Sequence, residues 1–302
     1  MSSDNIPDMF LTAMRLAGFE PDCTIVADGR LHRFRDWLDK PATRNGWYVL
    51  FRDFPPAGAF GCWKRGMTER WSGPDFKAKS LMTRRFAAIE NVLAVEHEKG
   101  RQQATEMWQK ARPANGKHRY LLSKKVGAHG IRYLYGALLI PIMDVTGQLH
   151  GLQRIYHDGS KRYTFATNKR GHFYMIGTPS DNIICIAEGF ATAATIHQVT
   201  GNAVAVAFDA GNLMPVAVNL RTEFPSHQFV LCADDDRRVG GNPGMTKARE
   251  AAEFVGGWMV FPRFYNPLSS GTDFNDLFNE AGEDAVKRCI SLQGESQYVS
   301  HK

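Results

Sequence analysis

The sequence predicts an α/β protein: a helix-covered parallel sheet in its C-terminal part, preceded by a basic mixed α+β subdomain and a small β-rich N-terminal domain. Three observations predict it. From residue 181 onward, apolar β-type runs alternate with helical runs, the pattern of a parallel sheet with helices on both faces. Residues 1–77 are instead rich in glycine and aromatic residues, with short β-type runs set apart by Asp28-Gly29 and Asn45-Gly46, which reads as antiparallel hairpins. Charge divides the chain in the same way: residues 1–180 hold 28 Lys and Arg against 16 Asp and Glu, and residues 181–302 hold 9 against 15. A basic part joined to an acidic part suits a polyanion held by one and metal ions held by the other.

Composition excludes other classes. At 43% hydrophobic and 23% charged residues over 302 positions, the chain can bury a sizeable core and is not of disordered type. No apolar run approaches a membrane span, and the start "MSSDNIPDMF" lacks a charged segment followed by an apolar one, so a cytoplasmic protein with no membrane partner is expected. None of Cys23, Cys62, Cys185, Cys232 and Cys289 pairs at C-x-x-C spacing, so no zinc ribbon or disulfide framework is indicated.

In order, residues 78–112 carry helical periodicity with dense mixed charge and predict a helical connector. Residues 113–180 contain "RYLLSKKVG" and then "GALLIPIMDVTGQLHGLQRIYHDGSKRYTF", apolar runs broken at "DVTG" and "HDGS", which predict a basic β-meander. Residues 181–292 then alternate. "IICIAE", "AVAVAF", "QFVLCA" and "WMVF" read as strands. "GFATAATIHQVTG", "NLMPVAVNLRTEF" with Pro215 in its first turn, and "GMTKAREAAEFVGG" read as helices. Residues 293–302 are expected to be a flexible tail.

The chemistry concentrates at the ends of the predicted strands. Glu188 ends the first, and Asp234 and Asp236 stand just beyond the third, where parallel-sheet folds bind ligands. Extended-chain alternation turns Asp234 and Asp236 one way and Asp235 the other. Two same-facing carboxylates and a neighbouring glutamate make an oxygen-only site, which suits Mg2+. Asp273 and Asp276 in "GTDFNDLFNE" open a further helix; Asp276 also suits an ordinary first-turn residue favoured by the helix dipole.

The series "CIAEGFATA", "VLCADDDRRVGGNPGMTKA" and "TDFNDL" resembles a TOPRIM domain, the metal-binding fold shared by primases, topoisomerases and some nucleases. The "LLIPI" strand, the "DVTGQLHGLQR" turn and "NKRGHFYMIG" resemble the basic subdomain of bacterial-type primases. The Trp/Gly-rich start resembles zinc-free primase-like proteins of plasmids and phages. The resemblance covers almost the whole chain. It implies a TOPRIM parallel-sheet domain in which Glu188, Asp234 and Asp236 are catalytic and, with Asp273, ligate Mg2+ or Mn2+. It further implies that Arg154, Lys161 and Lys169, together with Lys124 and Lys125, grip nucleotide or template. Asn275 stands where replicative primases carry another aspartate, and "FATA" lacks an acidic residue found there in the family, which leaves the number of metals open.

Replicative primases of this type begin with a Cys/His zinc ribbon. Here Cys23 and Cys62, with His32 and His97, do not complete a ligand set, so no zinc is expected. Trp47, Trp63 and Trp71 replace the metal with a hydrophobic core or form a stacking platform for single-stranded bases. The implied activity is synthesis of short RNA primers on single-stranded DNA from nucleoside triphosphates, for a plasmid, phage or mobile element. A TOPRIM nuclease and a non-catalytic single-stranded-DNA-binding accessory protein are the alternatives. No G-x-x-x-x-G-K-[ST] motif occurs, so a separate replicative helicase is the candidate partner.

Overall fold

Among the described residues, alternating apolar runs fold into three sheets. The computed structural model describes residues 5–298, apart from residues 38, 40, 42, 64, 66, 74–78, 180, 181 and 267. Two units divide the chain, residues 1–99 and residues 100–302.

The first unit begins with α1 (Ile6–Leu16), a helix the glycine-rich reading of this region does not anticipate. Its Phe10 and Met14, one turn apart, are both fully buried. Strands β1 (His32–Phe34), β2 (Gly46–Phe51), β3 (Ala57–Cys62) and β4 (Met67–Ser72) form an antiparallel sheet in sequence order. Phe10, Phe19 and Phe60 meet edge-on at 5.4–5.5 Å beneath it. Helix α2 (Lys79–Lys110) covers the predicted connector, and its Ile89 packs with Trp47, Val49 and Ala59. Trp63 lies 5.4 Å from the Trp47 ring and Trp71 meets Phe10 edge-on at 5.4 Å. The three tryptophans therefore pack against the unit's own aromatic core.

In the second unit, β5 (Arg112–Pro113), α3 (Arg119–Lys124), β6 (Arg132–Leu134), β7 (Ala137–Met143), β8 (Leu149–Tyr156) and β9 (Lys161–Tyr163) follow α2. The strands pair antiparallel in sequence order. Alternation splits the sheet: Leu139 and Leu152 pack with Ala104 and Ala111, whereas Leu138, Ile140 and Ile155 join the core of the C-terminal sheet.

The C-terminal sheet contains β10 (Tyr174–Ile176), β11 (Ile183–Ala187), β12 (Ala203–Val206), β13 (Gln228–Cys232) and β14 (Trp258–Val260), in the order β10-β12-β11-β13-β14. Helices α4 (Phe190–Thr200), α5 (Leu213–Glu223), α6 (Pro243–Val255), α7 (Phe274–Ala281) and α8 (Glu283–Tyr298) complete it. Residues of α4, α7 and α8 share one core with the sheet, and residues of α5 and α6 share another. The expected all-parallel sheet is corrected at one edge. Strands β11–β14 run parallel, but β10 pairs antiparallel with β12. Only residues 177–182 separate β10 from β11, two positions across the sheet, too few for the crossover that would return the chain to run parallel to it, so β10 runs opposite to β11 and to the β12 between them. Helix α8 also continues to Tyr298, through much of the segment expected to be a flexible tail; residues 299–302 lie outside the described residues. No helix among the described residues is long and apolar enough to cross a membrane.

Candidate metal and nucleotide crevice

Strands β11 and β13 are hydrogen-bonded neighbours, with Ala187 opposite Cys232, so the residues leaving them arrive side by side. Glu188 and Asp234 line one crevice of about 780 Å³, together with Asp273, Lys161, Lys124 and Arg119. Asp273 reaches it as the N-cap of α7, its Oδ1 accepting from Asp276 N at 2.8 Å. The Asp276 carboxylate returns the favour to the loop, accepting from Thr272 N at 3.1 Å and standing 3.5 Å from Lys124 Nζ. It therefore caps a helix and holds a lysine.

Within the Asp triplet, Asp234 lines the crevice; Asp236 is not among its lining residues, although its charge acts on both Glu188 and Asp234. Asp235 Oδ1 accepts from Asn242 Nδ2 at 2.8 Å, its Oδ2 lies 3.7 Å from Arg237, and its amide donates to Thr272 O at 2.7 Å. Asp235 thus serves the loop. Gly244 permits the close approach of α6: a Cβ there would stand 2.4 Å from Asp234 O and 3.2 Å from Asp236 Oδ2.

Electrostatics marks Glu188, Asp234 and Asp273 as a strained group. Burial, then Asp236, raises the Glu188 pKa to about 7, against smaller lowering effects of the Ala210 amide and Lys161. Burial, then Glu188, Asp273 and Asp236, raises Asp234 well above the usual carboxylate range. Burial and Asp276 raise Asp273. All three side chains keep some exposed area, which places them in a crowded crevice open to solvent on one side. Lys161 is the cation among them. Desolvation of its charge lowers its pKa, against the pull of Asp273, Asp234 and Glu188.

The donor set fits a hard divalent ion. Glu188 Oε1 and Asp234 Oδ1 are buried without a hydrogen-bond partner, and every candidate ligand is a carboxylate oxygen. Among the described residues, the one group of three donors whose ligand atoms all lie within 4.8 Å is elsewhere, at Asp144, His150 and His172. Closing the crevice carboxylates on one ion therefore takes side-chain rotation.

The other basic residues separate. Lys124 lines the crevice. Lys125 is the exposed left-handed C-cap of α3, at φ 53°. Lys169 is buried and ion-paired with Asp209, which itself lines the crevice. Arg154 stands opposite Leu139 and Arg162, one residue out of phase with the Ile155–Lys161 pair. It therefore points to the sheet face opposite Lys161, near the Tyr156 ring. Arg119, His157 and Asp209 line the crevice without having been singled out in the sequence. The available signal was position: His157 sits in the "HDGS" turn four residues before Lys161.

Asn275 is fully buried and its Nδ2 donates to Lys124 O at 2.7 Å and Thr195 Oγ1 at 2.8 Å. It braces α3, α4 and α7 behind the crevice. An aspartate here would set an acceptor against a carbonyl. Asn275→Asp is accordingly expected to lower stability by about 1–3 kcal/mol in denaturant unfolding without tightening metal binding. An unchanged midpoint with tighter Mg2+ binding would contradict this brace.

Residues 183–284 match the Toprim domain family. These residues form a Toprim domain. This Toprim domain begins at β11 and contains all four candidate ligands. The chain is also 33% identical over 263 residues to DNA primase TraC of Escherichia coli, covering 79% of this chain and 24% of that protein. It is 31% identical over 289 residues to a second Escherichia coli protein of that name, covering 84% of this chain and 19% of that one. It thus spans about a quarter or less of the relatives' length. Among solved structures, the primase fragment of the bacteriophage T7 primase-helicase protein aligns with a TM-score of 0.45 and 13% identity, covering 60% of this chain and 75% of that one.

Proposed function

We propose that the chain synthesises short RNA primers on single-stranded DNA, with residues 113–180 as its basic subdomain and residues 181–292 as its catalytic domain. One observation carries this reading: buried, unpaired carboxylate oxygens at the ends of adjacent Toprim strands face Lys161 in a crevice of about 780 Å³, room for a nucleotide. The names of the two Escherichia coli relatives point the same way.

In the proposed reaction, the 3′-hydroxyl of one nucleotide attacks the α-phosphate of the next nucleoside triphosphate. A new P–O bond forms, the hydroxyl proton passes to solvent water, the α–β phosphoanhydride bond breaks, and pyrophosphate leaves. Glu188, Asp234, Asp236 and Asp273 would hold Mg2+ or Mn2+, which when bound neutralises the charge that accumulates on the reacting phosphate. Lys161, Lys124 and Arg119 line the same crevice and would align the triphosphate, so that positioning supplies much of the rate. Lys169, held by Asp209, would shape the wall rather than bind phosphate directly. A separate replicative helicase would expose the template.

The test is incubation of the chain with single-stranded DNA, labelled ribonucleotides and Mg2+ or Mn2+. Short labelled products are expected. A shortened DNA strand would make the crevice a nuclease, and binding without either product would leave an accessory role.

A further inference from the structure

We propose that Asp144, His150 and His172 form a second metal site, distinct from the carboxylate crevice, which takes one first-row transition ion such as Zn2+ or Co2+. Two segments meet there. Met143 and Phe173 form an antiparallel bridge, Met143 N donating to Phe173 O at 2.9 Å and Phe173 N to Met143 O at 2.8 Å. This sets the β7–β8 turn beside the chain entering β10. Asp144 opens the turn, His150 follows it, and His172 stands on the facing segment.

The ligand atoms of the three residues lie within 4.8 Å of one another, and Asp144 Oδ2 is 2.8 Å from His150 Nε2. The His150 and His172 rings stack at 3.8 Å with 8° between their planes. A tetrahedral ion bonded at about 2.1 Å to each donor sets its donors about 3.4 Å apart. Closing the set on one ion therefore turns the two rings out of their stack so that their lone pairs converge, and replaces the His150 Nε2 proton that Asp144 accepts with the metal.

Neighbouring groups orient these donors as outer-shell partners orient metal ligands. Asp144 Oδ1 accepts from Thr146 N at 2.9 Å, Thr146 Oγ1 at 2.6 Å and Gln148 N at 3.0 Å. That occupies Oδ1 with the turn and directs Oδ2 toward the histidine. His172 Nδ1 donates to Asn168 O at 2.7 Å. A carbonyl can only accept, so Nδ1 carries the proton and Nε2 is the nitrogen that can bind metal.

The donor chemistry selects the ion. Two imidazole nitrogens and one carboxylate suit Zn2+, Co2+ or Ni2+, whereas Mg2+ prefers oxygen throughout. Water completes the coordination. Zn2+ held here would overturn the expectation that the chain binds no zinc, which rested on the missing Cys/His ligand set and did not weigh these three residues. A metal here would pin the segment that carries Lys169: Asn212 Nδ2 donates to His172 O and to Lys169 O, each at 3.0 Å. The site stands whether or not the chain makes primers.

The experiment is a Co2+ titration of the chelator-stripped full chain in excess Mg2+, which keeps the carboxylate crevice supplied with a hard ion. One Co2+ per chain is expected, with the strong visible absorption of nitrogen-bound cobalt and a raised Tm. His150→Gln and His172→Gln should each weaken binding by about tenfold or more, while Asp234→Asn leaves it unchanged. If one histidine variant fails to fold, the other carries the comparison, and the wild-type spectrum needs no variant. Absence of stoichiometric binding, a weak all-oxygen spectrum, or binding lost with Asp234→Asn and kept in the folded histidine variants would overturn the site.

Discussion

Asp234→Asn is expected to fold as well as the wild type and to lose nucleotide incorporation by about three orders of magnitude, the several kcal/mol that metal-borne charge stabilisation supplies. Asp234 sits just beyond β13 with Oδ1 buried and unpaired, and burial, then its neighbours Glu188, Asp273 and Asp236, hold its pKa well above the usual range. Neutralising it relieves repulsion while removing a ligand charge. Asp236→Asn should behave similarly, because its carboxylate acts on both Glu188 and Asp234. Asp235→Asn should keep most activity, since Asp235 pairs with Asn242 and Arg237. The comparison needs primer synthesis, Mg2+ calorimetry and melting curves for the three variants. Calorimetry separates the metal site from the proposed reaction: an Asp234→Asn chain that binds Mg2+ like wild type refutes the ligand assignment whatever the wild-type chain synthesises. An inactive Asp235→Asn beside an active Asp236→Asn would reverse the assigned geometry.

Glu188→Gln is expected to change the pH dependence of stability in chelator. The folded chain holds the Glu188 pKa at about 7, above its ordinary 4.5. As pH rises through this interval, the unfolded chain ionises first, so the folded state binds the extra proton and stability falls. The fall begins near pH 4.5, ends as pH passes about 7, and is absent below both values. It amounts to about 2 kcal/mol once solvent access to the half-buried crevice is allowed for. Glu188→Gln removes this component. The variant should match wild type in acid and exceed it by about that amount above neutrality. Asp234, raised in the same direction, leaves some slope in the variant. Saturating Mg2+ should shrink or reverse the gap, because binding to the folded state stabilises only the chain that retains its ligand. Urea unfolding across this range, with and without Mg2+, measures it. A wild-type chain that gains stability with pH in chelator, and a variant that follows it, would contradict the assigned shift.

Much of the C-terminal part was legible in sequence because its signals are local. Apolar runs of β length alternate with helical runs, Gly201 ends α4 at φ 77°, and Asp273 caps α7. Each depends on residues a few positions away. The placement of Glu188 and Asp234 at strand ends follows from the same periodicity.

Tertiary structure alone decided the partners. Lys169 reads as a free cation in sequence, but Asp209, 40 positions later, claims it. Arg154 shares a basic segment with Lys161, yet strand register turns it to the opposite face. Asn275 looks like a substituted ligand and proves to be a brace, because Lys124 O, 151 positions earlier, lies against it. The reversed direction of β10 and the meeting of His150 with His172 likewise depend on which strands pair. Periodicity records the direction a side chain leaves its own strand or helix. What it meets there is set by sheet register and chain reversal, which bring distant segments together and decide whether a charge is neutralised, buried or left for a ligand.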